Sequence, residues 1–453
     1  MELKRIVDDY GAFYTNRKRA SNSICLLVKK TNNIEGNLIM NILFIVTESK
    51  SANGICCRAV MEQLVSEGHN IYCITNSEYT DFPKADGVFY KTVKPRLTYR
   101  LFAESEITEG INKKIRSFLA VVINKIKLFI SIPTWPLISP LYSNRLFKAA
   151  FALCKSNKID CIIPIYTQID TLIAARKIKR KFPDIKYIPY FLDSFSGGYG
   201  PKIFSTSWAI KRGIKWEDKL LPEADKIVMM KSCEEHYKKY SANKSYYNKI
   251  LFLDLPLFIP RIVNNDSNFF NNDKINLLYI GTIPVHIRNP EYFLKLFCEL
   301  PGDDIALNII GSCTAPDLLY SFSENDKRIH IGKSVNHKTA LSMISSADFL
   351  INFGNNNTHM TPCKIFEYMS YGKPIISVSP IKDEPSSRYL EKYPLSLIIK
   401  EYENNVADDI EKLKNFVSQA PKLDQSEFDK LNGLFYLNKP EAFIKVIKKE
   451  VLQ

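Results

Sequence analysis

Residues 343–380, MISSADFLINFGNNNTHMTPCKIFEYMSYGKPIISVSP, decide the fold. Ala347 and Asp348 close a helix. Residues 349–353 are a short apolar run of strand length. Residues 354–359 are polar, with three consecutive Asn, and read as a loop. Thr361 is placed to cap a helix and Pro362 to occupy its first position, where a missing N–H costs nothing. The helix is predicted over 363–371 and stops at Gly372. Lys373 and Pro374 lead into a second buried strand at 375–378. Strand, loop, helix and strand in this order make one unit of a parallel sheet. The helix start, with free N–H groups and the positive end of the dipole, suits a phosphate. Lys364 falls in the first turn, and Glu367 follows one turn after Cys363.

The run KIFEYMSYGKPII (364–376) resembles the donor-site signature of retaining glycosyltransferases of the GT-B fold, in the large group-1, family 4 class. The resemblance implies an α/β protein of two Rossmann-like domains facing each other across a cleft. In that family a Glu-x7-Glu pair binds the nucleotide sugar. Its second Glu matches Glu367, which would hold the ribose hydroxyls. His359 stands where the first would fall, a departure from the pattern. On local physics alone, a capped helix in any parallel α/β domain also accounts for the stretch, with Glu367 merely solvated.

Working outward, the second domain is predicted to begin near Lys274. INLLYIG (275–281) is its first strand, and Gly281 and Thr282 start the following loop. Arg288 and Asn289 precede a helix at Pro290. In the family an Arg and a Lys past this Gly neutralise the donor diphosphate. Arg288 matches the Arg, and Lys364 is the candidate for the second charge. Cations suit this place because a departing diphosphate gains negative charge. Strands are also predicted at 306–311 and 328–335. Residues 332–335, including Val335, resemble the segment that carries the nucleobase. Asn336 is placed to cap the next helix. With Thr361, Pro362 and Cys363 at the helix start, the implied donor site is Gly54, Gly281, Thr282, Val335, His359, Thr361, Pro362, Cys363 and Glu367. Helices are predicted over 403–419 and 440–452, the last packing back on the first domain.

The first domain opens with NILFIVTES (41–49), a buried strand. A loop at 50–54, a helix over 55–67 and a strand over 70–75 complete a Rossmann-like βαβ opening. The loop has one glycine, Gly54, and no GxGxxG, so a dinucleotide cofactor is unsupported. By resemblance Ser51, Asn53 and Gly54 line the cleft; a plain βα turn explains them equally. Strands are predicted at 160–165 and 187–192, and a helix over 169–181. The second strand runs into Asp193, which by position resembles a family His or Asp on the acceptor side. A simple turn is the competing reading. Residues 223–230 resemble the family's closing strand, a helix follows over 232–240, and 250–259, with Pro256 and Pro260, reads as a stiff crossing. The resulting domains are 40–258 for the acceptor and 259–453 for the nucleotide sugar. Residues 1–39 are polar and precede an abrupt strand pattern, so they read as an extension and Met40 as a possible start.

The chain has 453 residues and a net charge of +14. Ten Cys without a CxxC pair fit reduced, cytoplasmic usage. Six scattered His suggest no metal site. Residues 91–150 carry eleven Lys or Arg against three Glu, more than half the net charge. Within them 117–132 is amphipathic: Leu119, Ile123, Ile126 and Ile130 share one helical face. Lys125 and Lys127 interrupt the apolar run, which argues against a spanning helix. Two readings stand: a helix lying on an anionic membrane, and a core-facing helix with a solvated basic face.

The whole chain reads as a cytoplasmic, membrane-surface glycosyltransferase. Its partners would be a nucleotide-sugar donor and a glycan or lipid-linked acceptor, without metal or nucleic acid. Asp193, Arg288 and Lys364 are the candidate catalytic residues. A nucleotide-sugar epimerase on the same fold and a non-catalytic membrane-surface binder are the rivals.

Overall fold

The computed structural model describes residues 39–47, 52–76, 84–106, 110–198, 200–201, 203–261, 269–271, 273–358, 361–419 and 421–452. Ser51, His359 and the extension up to residue 38 lie outside them. Within the compact unit Asn41–Val451 the strands form two sheets.

The first sheet runs in the order β3-β2-β1-β4-β6-β7-β8, with β5 also on β4. Its strands are β1 (Asn41–Ile45), β2 (Asn70–Thr75), β3 (Val88–Thr92), β4 (Cys161–Tyr166), β5 (Lys186–Tyr187), β6 (Tyr190–Phe191), β7 (Ile227–Met230) and β8 (Ile250–Leu253). All pair in parallel. β1 is buried on both faces, which is why it reads as a continuous apolar run rather than an alternating one. The second sheet runs β11-β10-β9-β12-β13-β14. Its strands are β9 (Ile275–Ile280), β10 (Ile305–Ile310), β11 (Ile329–Gly332), β12 (Phe349–Phe353), β13 (Ile375–Ser379) and β14 (Ser396–Lys400), again all parallel. Leu277, Phe293, Phe297, Phe349, Ile351 and Ile376 lie in one of its cores.

Several expectations are corrected. The predicted strand 187–192 is two short pieces, β5 and β6, on either side of Ile188 and Pro189; proline cannot donate to the ladder. Residues 250–253 do not cross over but pair with β7 as an edge strand. The crossing that follows is tied to the second sheet's helices. Ile259 N donates to Ser370 Oγ at 2.9 Å, and Tyr389 donates to Asp254 at 2.5 Å. The helix expected over 55–67 spans Ala52–Ser66, so Asn53 and Gly54 lie in its first turn, not in a loop. Both residues are buried. β3 and the helices Leu97–Glu106, Pro140–Ser156, Thr206–Leu220 and Gln425–Leu434 were not anticipated. The last of these begins with a full capping box, Asp424 and Glu427.

The basic amphipathic helix is Gly110–Ile130, longer than expected. It does not bury its apolar face in the core. Ile115, Phe118, Leu119, Ile126, Phe129 and Ile130 are all exposed, Phe129 by 74%. Ala120, on the opposite side, is fully buried. Arg116 and Lys127 fall on Ala120's side at about 100° per residue. The helix therefore turns its apolar stripe outward. No described helix is long and apolar enough to cross a membrane.

The last helix, Pro440–Leu452, contacts the first sheet's half of the unit. Phe443 stacks on Tyr190 with ring centres 4.6 Å apart, and Lys448 pairs with Glu67 at 2.5 Å.

Candidate functional site

In the second sheet the chain builds outward from β9 to β11, then returns to the other side of β9 for β12 to β14. The direction reverses between β9 and β12, and such a switch point opens a crevice at the carboxyl ends of the strands. Gly281 follows β9 there, and Gly354 and Asn355 follow β12.

Three features build a cationic floor at this crevice. Lys364, the first residue of the helix Lys364–Ser370, donates its ammonium to the Ile280 carbonyl. The same ammonium lies 6.0 Å from the Tyr279 ring centre. Gly281 has φ of +145°, a conformation that favours glycine, and a Cβ on it would meet the Lys364 ammonium and displace it. Burial pushes the lysine down to about 8, against a smaller pull upward from Glu367 and Cys363; Arg288 pushes it further down. Lys364 nevertheless keeps partial solvent access. Arg288 is held by Asn355, whose Oδ1 accepts from Nε at 2.6 Å. Asn356 ties the same two loops together, its Nδ2 donating to the His286 carbonyl at 2.6 Å and its N–H to the Ile287 carbonyl at 2.9 Å. Thr282 is exposed on the rim, and its carbonyl accepts from Tyr279 Oη at 3.0 Å.

Glu384 organises this floor and was missed in the sequence. It is buried, and its carboxylate accepts from Asn355 N at 3.2 Å, Ser386 N at 2.9 Å, Ser386 Oγ at 2.7 Å and Ser387 N at 3.2 Å. Burial raises its pKa and the hydrogen bonds oppose that. Glu384 thus fixes Asn355, and Asn355 fixes Arg288. No local motif marks its reach to Asn355, which lies 29 residues earlier on another loop.

Glu367 lies near one end of the floor, with its side chain 11% exposed. His337 Nε2 is 3.9 Å from its Oε1. Burial lowers the imidazole and Glu367 partly restores it. Asn336 caps the helix His337–Ser346 as expected, accepting from Thr339 N at 2.9 Å. That cap puts His337 directly after the 332–335 segment, so Val335, 40% exposed, and Glu367 come to the same region. His337 was also missed; the cap at Asn336 was its only signal.

The predicted cap at Thr361 is not formed. The helix begins at Lys364 after Cys363, whose backbone is already helical, so Pro362 precedes the first turn. Thr361 and Cys363 are half-buried and Pro362 is buried. The helix is buried from Ile365 to Ser370. Gly372 ends it with φ of +62° as read, its N–H donating to the Met369 carbonyl at 3.0 Å.

The first sheet also reverses, between β1 and β4. Thr47 and Thr167 join their loops by a 2.8 Å hydroxyl contact. Asp193 follows β6. It is exposed, and the surrounding protein raises its carboxyl. Its loop is anchored by Glu217, which accepts from Ser196 N at 3.0 Å, Tyr237 Oη at 2.6 Å and Tyr246 Oη at 2.9 Å. Cys56, on the helix containing Gly54, is fully buried, and its thiol is raised first by that burial. Cys363, Glu367 and Asp193 all lie close enough to raise it further. Val335 and Thr282 are exposed.

No protein-family model matches the chain, and no curated protein matches it by sequence. Solved structures do. The chain is similar to sucrose-phosphate synthase from Thermosynechococcus elongatus, at 14% identity over 90% of this chain and 98% of that one, with a TM-score of 0.60. The fold is GT-B. A glycosyltransferase from Rickettsia africae aligns at 14% identity over 92% and 99% of the two chains, TM-score 0.55. A TarM variant from S. aureus, solved with UDP, aligns at 9% identity over 92% and 100%, TM-score 0.53. The GT-B likeness spans both sheets.

Proposed function

We propose that this chain is a glycosyltransferase that moves a sugar from a nucleotide-sugar donor to an acceptor hydroxyl, with retention of configuration. The observation that carries the reading is the Lys364, Arg288 and Gly281 floor at the β9/β12 switch point. Two cations positioned by side-chain and backbone contacts suit a diphosphate. As the bond from the sugar carbon to the diphosphate oxygen breaks, the leaving group takes the electron pair, the acceptor oxygen bonds to that carbon and its proton passes to the departing diphosphate, and both cations offset the charge the leaving group gains. Glu367 holds the ribose hydroxyls, since a carboxylate accepts from both. The base rests near Val335. Asp193 faces the acceptor hydroxyl. The TarM complex with UDP supports starting with uridine donors.

In this reading residues 40–258 take the acceptor and 259–453 the donor. The acceptor is lipid-linked or a polysaccharide, and the enzyme works at the inner face of a membrane. What supports the membrane is the outward apolar stripe of helix Gly110–Ile130, flanked by Lys114 and Lys125. Near its end Trp135, Trp208 and Phe204 form an aromatic cluster, with centroids 5.5 Å and 4.1 Å apart. Aromatic rings of this kind suit the headgroup level.

The test incubates a panel of nucleotide sugars with membrane lipid extract and reads products by mass spectrometry. A new glycolipid from one donor, lost in Lys364→Ala, is the expected outcome. Sugar isomerisation without acceptor would establish the epimerase instead.

A further inference from the structure

The side of helix Gly110–Ile130 that faces the protein is basic where a core is normally apolar. Lys127 is half-buried on that side. Arg96 and Arg145 lie near enough for their charges to act on its ammonium, and their guanidinium carbons are 5.7 Å and 5.6 Å from the centre of the same Tyr142 ring. Arg96 is fixed by Asp170, a fully buried carboxylate that also accepts from Ser143 Oγ at 2.6 Å. The Nε of Arg96 is buried with no hydrogen-bond partner. Among the described residues Arg145 and Lys127 form no ion pair with a carboxylate, unlike Arg96 and Arg116. Crowding cations away from water is unfavourable unless an anion joins them.

We propose that Arg96, Lys127 and Arg145 bind the phosphate of an anionic lipid, beneath the apolar face that meets the bilayer. Guanidinium forks match phosphate oxygens in pairs, and Lys127 adds a point charge. Burial and the two arginines depress the Lys127 ammonium, in line with a site short of negative charge. The choice of lipid over free phosphate rests on the membrane-surface reading above; the phosphate site itself does not.

Vesicle sedimentation of the full chain tests this. Vesicles of phosphatidylcholine with phosphatidylglycerol are compared for the parent, Lys127→Gln/Arg145→Gln, and Lys113→Gln/Lys114→Gln. Arg96 is left in place because its loss would strand Asp170. Both pairs remove the same charge, so general attraction falls equally. A built site makes the Lys127/Arg145 pair lose about ten-fold more affinity than the exposed pair. Arg145→Lys should recover only part of that loss, since the charge returns without the fork. Equal losses in the two pairs would overturn the site, provided the melting temperatures match the parent's. Phe118→Ser/Phe129→Ser tests the membrane reading separately: if it leaves vesicle binding intact, the apolar face is not the contact. Competition by millimolar inorganic phosphate would place a soluble anion in the site and overturn the lipid source. Failure of sugar transfer leaves all these outcomes readable.

Discussion

Lys364 joins structure to chemistry through one ionisation. The free protein holds it near 8, while the unfolded chain keeps the ordinary lysine value of 10.5. The unfolded state therefore binds more protons between those values, and this residue's contribution to stability rises with pH across that window. In the folded protein its charge is lost as pH rises through about 8. Affinity for a nucleotide diphosphate should fall as pH rises through about 8, and in Lys364→Met it should be weaker and lack that step. Calorimetric titration of UDP at several pH values measures both. Glu367→Gln keeps the size of the side chain but removes a charge-assisted acceptor, so donor binding should weaken by about 1–3 kcal/mol without loss of folding. Donor bound as tightly by this variant as by the parent would move the ribose site elsewhere. Glu384→Ala should act differently. It strands the buried N–H of Asn355 and removes the partner of Ser386, so the melting temperature should fall by the equivalent of roughly 1–3 kcal/mol. Activity should fall with it, because Arg288 loses its oriented partner.

At the scale of elements, the outward-facing helix Gly110–Ile130 sets the clearest test. Replacing Phe118, Ile126 and Phe129 by Ser in a core would cost several kcal/mol in total. Here the three are exposed by 67%, 53% and 74%, so the melting temperature should hardly move while binding to anionic vesicles drops. A large loss of stability would mean that the stripe is covered by protein. The strand ends show how much was legible. β1, β9, β10 and β12 are buried on both faces, and apolar runs bounded by Gly or polar loops marked them plainly. β5 and β6 were read as one strand because Pro189 breaks the ladder without breaking the apolar pattern. The helices Thr206–Leu220 and Pro140–Ser156 were missed because basic residues and a tryptophan, Trp216, blur their periodicity.

For the whole molecule, the two sheets are joined by the 254–261 crossing and by the last helix. The crossing is fastened to the second sheet's helices through Ser370 and Tyr389, so Pro256 and Pro260 are only part of its stiffness. In the last helix Phe443, Ile444 and Ile447 are buried. Phe443→Ala should cost about 3–5 kcal/mol, the usual figure for emptying a core aromatic site. Chemical denaturation measures this. Loss confined to one of two separate transitions would show that the sheets unfold independently.

The sequence by itself determined the parallel strands, the Gly372 stop, the Asn336 cap and the residue types at the crevice. Each depends on neighbours within a turn or a strand, where side-chain period and backbone freedom act locally. Only the tertiary structure decided that Lys364 reaches back to Ile280, that Glu384 holds Arg288 through Asn355, and that an amphipathic helix faces outward. Those outcomes depend on partners 29 to 84 residues away and on which face of an element finds a core. A pattern shows that a helix has an apolar side; packing determines where that side points.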